Sequence, residues 1–371
     1  ARARALREEG RSIVDLSAGE PVWDTPRYAA DAGVRAIREG ETGYPPTPGV
    51  PRLRSAVADY LAETTGRRVE PDRVLVGAGV KQALFNCVYT LFGAGDEVLV
   101  PTPCWTSYVP QVRLAGADPV AVPRSWEDGF RLEPGALERR RTDRTRGLLL
   151  NSPGNPTGAV FDLPLLEEIA AWADENDVWV LSDEIYRQLH YREGPAPSLF
   201  EVHDLPGRSV VLDGVSKAFA MPGWRIGFAV GPEPLISKAS DLQSQTTSGA
   251  ATPSQHAAAA ALGDAGRRAE AVSGFLDRLR ENRAIVTEGL GEASGLDVRA
   301  PDGGIFLFAR LRDGRSSADA LEGLLTEAGV AAVHGEAFGA PGYLRFSFAV
   351  EPDTLREGVR RTVEFFGGRE R

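Results

Sequence analysis

At 371 residues, 42% hydrophobic and 25% charged, the chain exceeds the size at which one core stops growing, so two domains are expected. Its net charge of -10 argues against nucleic acid and anionic membranes as partners, but leaves small anions open to a local positive site. Two cysteines (Cys87, Cys104), four histidines without ligand spacing and no apolar run of roughly 20 residues point to a cytoplasmic protein without disulfides, metal or membrane span.

The start, Ala1–Gly10, is a charged helical segment with no signal-peptide core; it has no initiator methionine, which leaves a preceding segment open. A strand-like stretch leads into the turn Ser17-Ala-Gly-Glu-Pro21. Asp24 or Thr25 can then cap a helix carrying Pro26 at its first position and stopped by Gly40. Gly43-Tyr44-Pro-Pro-Thr-Pro-Gly49 is too proline-rich for regular structure, and a helix over about 51–65 follows.

From Arg73 strands alternate with helices. Short apolar strands are predicted at 74–76, 97–100, 118–122, 147–150, 178–182, 210–212 and 226–230, with helices over 80–92, 105–114 and from about 163. Unbroken apolar runs indicate strands covered on both faces, hence a mostly parallel sheet. After about Pro234 the texture changes: 252–290 reads as helical, strands at 305–309 and 344–348 bracket a helix at 317–328, and a last helix covers 353–366. The fold class is α/β, a seven-stranded sheet covered by helices plus a smaller α+β unit.

Lysine is rare here. Of 42 Lys plus Arg only Lys81, Lys217 and Lys238 are lysines. Arginine stays protonated, whereas an amine can lose its proton and attack a carbonyl. Lys217 lies in Asp213-Gly-Val-Ser-Lys217-Ala-Phe, among small residues, and is the candidate for amine chemistry; Lys238 reads as a surface lysine.

Ligands of open α/β sheets bind beyond the carboxyl ends of the strands. Those ends carry Gly77-Ala-Gly79-Val-Lys81, Pro101-Thr-Pro-Cys-Trp105, Asn151-Ser-Pro-Gly-Asn155, Ser182-Asp183-Glu-Ile-Tyr186 and the Lys217 stretch. An anion-binding turn, an aromatic plate, an amide, an acid with a phenol, and an amine suit a planar, phosphorylated, carbonyl-bearing molecule.

These residues resemble the fold-type I, pyridoxal-phosphate-dependent aminotransferases, in the aspartate-aminotransferase-like branch. The best motifs are Asn155-Pro-Thr-Gly158, Ser182-Asp183-Glu-Ile-Tyr186, and Ser216-Lys217 with Arg225-Ile-Gly227, and the likeness runs from about Leu16 to the last helix. The resemblance implies amino transfer between an α-amino acid and a 2-oxo acid, with Lys217 carrying the cofactor as an internal aldimine. It makes Asp183 the partner of the pyridinium nitrogen, Asn155 and Tyr186 the partners of the phenolic oxygen, and Trp105 the stacking ring. Ser216, Arg225 and the amides of Gly79 and Val80 become the phosphate seat. Tyr44 reaches the neighbouring subunit's phosphate, which implies a homodimer with shared sites. Arg345 takes the substrate α-carboxylate with the Gly19 backbone near it.

Lys81 faces either the distal carboxylate of a glutamate or aspartate donor or, nearly as well, the phosphate. The implied domains are 27–270 for the cofactor and 1–26 with 271–371 closing over substrate. Gly214 departs from the hydroxyl residue that many relatives have. The shared residues leave β-lyase, replacement or oxidative chemistry open. A dehydrogenase, suggested by Gly77-Ala-Gly79 with Asp96 downstream, has Gln82 at the sixth position and leaves Lys217 unexplained. A non-enzymatic sensor would need a DNA-binding module for which the chain has no room.

Overall fold

The computed structural model describes residues 2–205 and 207–367; the outermost parts of the second expected domain, Ala1 and 368–371, lie outside them. The central sheet contains β1 (Val74–Gly77), β2 (Glu97–Thr102), β3 (Asp118–Pro123), β4 (Thr145–Asn151), β5 (Trp179–Asp183), β6 (Ser209–Gly214) and β7 (Gly227–Val230). Their spatial order is β1-β7-β6-β5-β4-β2-β3. Every neighbouring pair is parallel except those of β7, which runs antiparallel to both β1 and β6. The seven expected strands are therefore the seven observed.

Apolar runs and burial coincide. Strands β1, β6 and β7 are buried at every residue, whereas edge strand β3 is largely open to solvent. Helices Pro51–Thr65, Val80–Leu91, Leu163–Glu175, Glu233–Thr246 and Thr252–Gly263 belong to this part of the chain. In Leu163–Glu175 the stripe Leu165, Leu166, Ile169, Ala170 and Ala173 is buried, and the Asp162 carboxylate accepts the Leu165 N–H at 3.0 Å to cap the first turn.

The smaller unit is a four-stranded antiparallel sheet of β8 (Leu296–Asp297), β9 (Phe306–Leu311), β10 (Val333–His334) and β11 (Tyr343–Ser347), in the order β10-β11-β9-β8. Helices Ser317–Thr326 and Pro352–Phe366 accompany it, and Val14–Asp15 pairs in parallel with Val330–Ala331, joining the chain start to this unit.

Several expected boundaries move. The first long helix is Arg27–Arg38 with Pro26 itself at the capping position; the Thr25 hydroxyl, instead of capping, donates to the Ala220 carbonyl at 3.1 Å. The segment 105–114 is helical only over Tyr108–Leu114, so Trp105 sits in the preceding loop. A helix at Glu233–Thr246 was not anticipated. The stretch 252–290 is two helices, separated at Asp264, whose side chain caps Ala265–Gly291 by accepting the Arg267 N–H at 3.0 Å. That second helix runs through residue 270, the expected domain boundary.

Candidate active site

The carboxyl ends of β2, β4, β5 and β6, the turn after β1 and strands β10 and β11 enclose a cleft of about 420 Å3. It is built from the loops that the sequence singled out. Lys217 follows β6 by three residues and donates from Nζ to the Gly19 carbonyl at 2.8 Å. Burial lowers its ammonium from the usual 10.5 to about 8; Glu20 pulls the other way and Arg225 adds to the depression. The loop that holds it is bent: Ala220 and Arg225 have φ of 48° and 55°, a left-handed conformation that side chains other than glycine seldom adopt.

Asp183 closes β5, 4% exposed, and its two oxygens have separate partners. The Tyr108 hydroxyl donates to Oδ2 at 2.8 Å and the Ile185 N–H to Oδ1 at 3.2 Å. Burial still lifts the carboxyl to about 6, against those hydrogen bonds and the nearby Lys217 charge. Trp105 is half-buried, edge-on to Tyr108 at 5.4 Å between centroids, with the Lys81 ammonium 5.0 Å from its ring.

Arg345 enters from β11. Its Nη1 donates to Asn155 Oδ1 and its Nη2 to the Ser17 carbonyl, both at 3.0 Å. Phe306 and Phe338 lie against the guanidinium at 4.0 and 4.9 Å. Its Nε is buried and has no acceptor, so one N–H of a desolvated cation is unpaired. Tyr186 is buried beside it, and burial raises its phenol above the usual range despite the Arg345 charge.

At the other end, Arg225 donates to the carbonyls of Pro222 at 2.9 Å and Ala78 at 3.0 Å. Its neighbour Gly79 precedes the helix Val80–Leu91, whose first-turn amides have no partner within the helix. A Cβ on Gly79 would strike the Arg225 guanidinium, and one on Gly227 would strike the Val80 nitrogen. Only glycines allow this close approach, which produces an amide-and-guanidinium seat suited to an anion. The same packing accounts for Gly214: a Cβ there would lie 2.8 Å from the Gly227 Cα and 2.9 Å from the Ile226 carbonyl oxygen.

The cleft thus gathers Gly19, Val80, Lys81, Trp105, Asn155, Asp183, Tyr186, Ser216, Lys217, Arg225 and Arg345. Gly79 packs behind Arg225. Tyr44 is not brought in; it is 96% exposed on its loop. Sequence reading missed Tyr108, Thr106, Asn151, Ile185, Val333 and Phe338, which also line the cleft. Asn151 ties two of the strand ends together, donating to the Asp183 carbonyl at 2.9 Å and accepting the Asn155 N–H at 2.8 Å. The position of Tyr108, three residues after Trp105 at the same strand end, was the one signal available for it.

A cavity with an amine, a buried acid, an aromatic plate and an anion seat fits pyridoxal phosphate on its donor set alone: a carbonyl for Lys217, a ring nitrogen for Asp183, a phosphate for the Gly79–Arg225 cradle. The comparisons agree. The model of the aminotransferase class I and II family matches residues 11–361. A bifunctional aspartate aminotransferase and glutamate/aspartate-prephenate aminotransferase of Petunia hybrida is 40% identical over 97% of this chain and 78% of its own. The aspartate/prephenate aminotransferase of Thermus thermophilus is 39% identical, covering 99% and 94%. The solved Thermus thermophilus aspartate aminotransferase with maleate superposes with a TM-score of 0.94 over 98% of this chain and 94% of that one, at 39% identity. The aromatic aminotransferase of Pyrococcus horikoshii gives 0.92 at 38%, with 97% of each chain covered. The chain belongs to the class I and II aminotransferases, enzymes that transfer amino groups with pyridoxal phosphate.

Proposed function

We propose that the chain moves an amino group between a dicarboxylic amino acid, glutamate or aspartate, and a 2-oxo acid, using Lys217 as its catalytic amine. One observation carries the dicarboxylic part. Lys81, Lys217, Arg225 and Arg345 share one cleft, and none forms an ion pair with a carboxylate among the described residues, although the chain carries a net charge of -10. Such unpaired cations are held for anionic ligands.

The cofactor, when bound, supplies a carbonyl and an electron-withdrawing ring. Arg225, Ser216 and the Val80 amide would hold its phosphate, joined by the Gly79 amide once it leaves the Gly77 carbonyl, to which it donates at 2.8 Å; Asp183 would pair with the ring nitrogen, Asn155 and Tyr186 with the phenolic oxygen, and Trp105 would stack on the ring. Arg345, which lines the cleft and has no carboxylate partner, would bind the substrate α-carboxylate through its guanidinium. The Lys217 amine, whose charged form burial disfavours, would act as the base at the substrate α-carbon and hold that proton during the transfer. Lys81 is then the spare cation, in reach of a second carboxylate.

The chain divides in this reading into 27–270 and, closing over substrate, 1–26 with 271–371. Exposed Tyr44 is supplied to a second copy's site, and the two buried free thiols fit a reducing, cytoplasmic compartment. The Lys81→Ala variant tests the substrate class. The KM for glutamate should rise by roughly tenfold or more, as for the loss of a charge-assisted hydrogen bond, with little change for an aromatic amino acid. An equal rise for both donors overturns the assignment.

A further inference from the structure

Tyr108 is the most deeply placed polar group in the cleft that the reading above leaves without a task. It is 2% exposed at the start of its helix, and its hydroxyl has Asp183 Oδ2 as its partner at 2.8 Å. We propose that Tyr108 is a positioning residue, whose hydroxyl keeps Asp183 ionised and oriented toward the cleft so that the carboxylate can hold a protonated ring nitrogen.

The proposal rests on the role given to Asp183. A carboxylate buried in the end of a sheet is expensive to charge, and hydrogen bonds donated to the ionised form are what offset that cost. Asp183 receives one from the Ile185 backbone and one from Tyr108; the first survives any side-chain change, so Tyr108 is the adjustable donor. Burial and the Asp183 charge hold the phenol far above its usual range, so it stays a donor across the working pH. The other groups facing this pair are Lys217, whose charge favours the ionised acid, Tyr186, whose raised phenol is neutral, Cys104 beside Tyr108, a thiol pushed up to about 11 by burial, and the buried guanidinium of Arg124 on the far side of Tyr108, common to every protein compared.

Loss of the hydroxyl makes Asp183 a stronger base. A proton shared with a ring nitrogen then moves to the carboxyl, and a neutral pair replaces an ion pair. The test is the dissociation constant of pyridoxal phosphate from the full chain, measured spectroscopically from pH 5 to 9. The proteins compared are the unaltered chain, Tyr108→Phe, Asp183→Asn, and a chain with 3-fluorotyrosine at 108. Tyr108→Phe should bind roughly tenfold more weakly at neutral pH, as for a lost hydrogen bond to a charged group, and its acid limb should move up by about one unit. Fluorotyrosine, a stronger donor of nearly the same shape, should move that limb down. Asp183→Asn should keep the limbs that belong to Lys217 and to the cofactor's phosphate and lack only that of Asp183, so its difference from the unaltered chain isolates the Asp183 part. A uniform weakening of Tyr108→Phe at every pH, or a limb unmoved by fluorotyrosine, overturns the proposal. An acid limb identical in Asp183→Asn and the unaltered chain instead overturns the role of Asp183 itself.

Discussion

If Lys217 is the catalytic amine, as proposed, its free base decides how fast the cofactor is taken up. An ordinary lysine is neutral about three times in ten thousand at pH 7, whereas one titrating near 8 is neutral about one time in ten, a gain of roughly 300-fold in nucleophile. Burial supplies most of this, and Arg225 adds to it until a phosphate neutralises that guanidinium. Uptake of pyridoxal phosphate by the cofactor-free chain should therefore quicken about tenfold per pH unit below about 8 and level off above it. Stopped-flow absorbance would show this; a rate still climbing steeply at pH 9.5 would return Lys217 to the ordinary range. Most residues of this proposed chemistry could be singled out in the sequence because they follow strand ends and carry a group whose chemistry is rare there; Arg345, inside β11, came only from the family resemblance. Tyr108 was not singled out. An aromatic three residues past a tryptophan reads as core, and its partner lies 75 positions away, joined only when β2 and β5 take their places in one sheet.

Behind the cleft, strand β6 and the helix Pro51–Thr65 meet through a second buried acid. Asp213 accepts from the Tyr60 hydroxyl at 3.2 Å and from the Gly214 N–H at 2.7 Å, and Tyr60 in turn accepts from Gln188 at 2.8 Å. Burial raises Asp213 to about 8, and Glu184 adds to the rise. A carboxyl whose folded value lies above its unfolded one binds more protons when folded, so stability falls as pH rises from about 4 to about 8. Asp213→Asn should leave stability near its original level at pH 5 and stabilise the chain at pH 9, by at least about 1 kcal/mol. Urea unfolding at the two pH values checks this, and an equal change at both contradicts it. The strands were readable because burial on both faces writes itself as apolar runs. The helix Glu233–Thr246 and the break at Asp264 were not, since Gln, Ser and Thr interrupt the apolar pattern of the former and a single capping aspartate makes the latter. Tertiary packing, more than local pattern, decides such segments.

Across the whole molecule the predicted site residue that lies apart from the cleft and from its walls is Tyr44, 96% exposed beside prolines that stiffen its loop. Ile37 and Val34 are also exposed on the preceding helix, and a second copy of the chain would cover such a surface. If Tyr44 serves the other copy's phosphate, two defective proteins can repair each other. Lys217→Ala removes the amine and should lower kcat by roughly a thousandfold or more. Tyr44→Ala keeps the amine and should weaken cofactor binding by roughly tenfold, the loss of one hydrogen bond to a charged group. In a mixed dimer the site built on the intact Lys217 receives its tyrosine from the Lys217→Ala copy, and that site is complete. Equal amounts of the two variants, dissociated, reassociated and assayed at limiting pyridoxal phosphate, should recover about one quarter of the original activity, since half the dimers are mixed and each has one whole site. Activity no greater than the average of the separate variants would place Tyr44 outside the partner's site. Recovery would make the dimer the smallest complete enzyme, because neither defective chain holds every group that the cofactor needs.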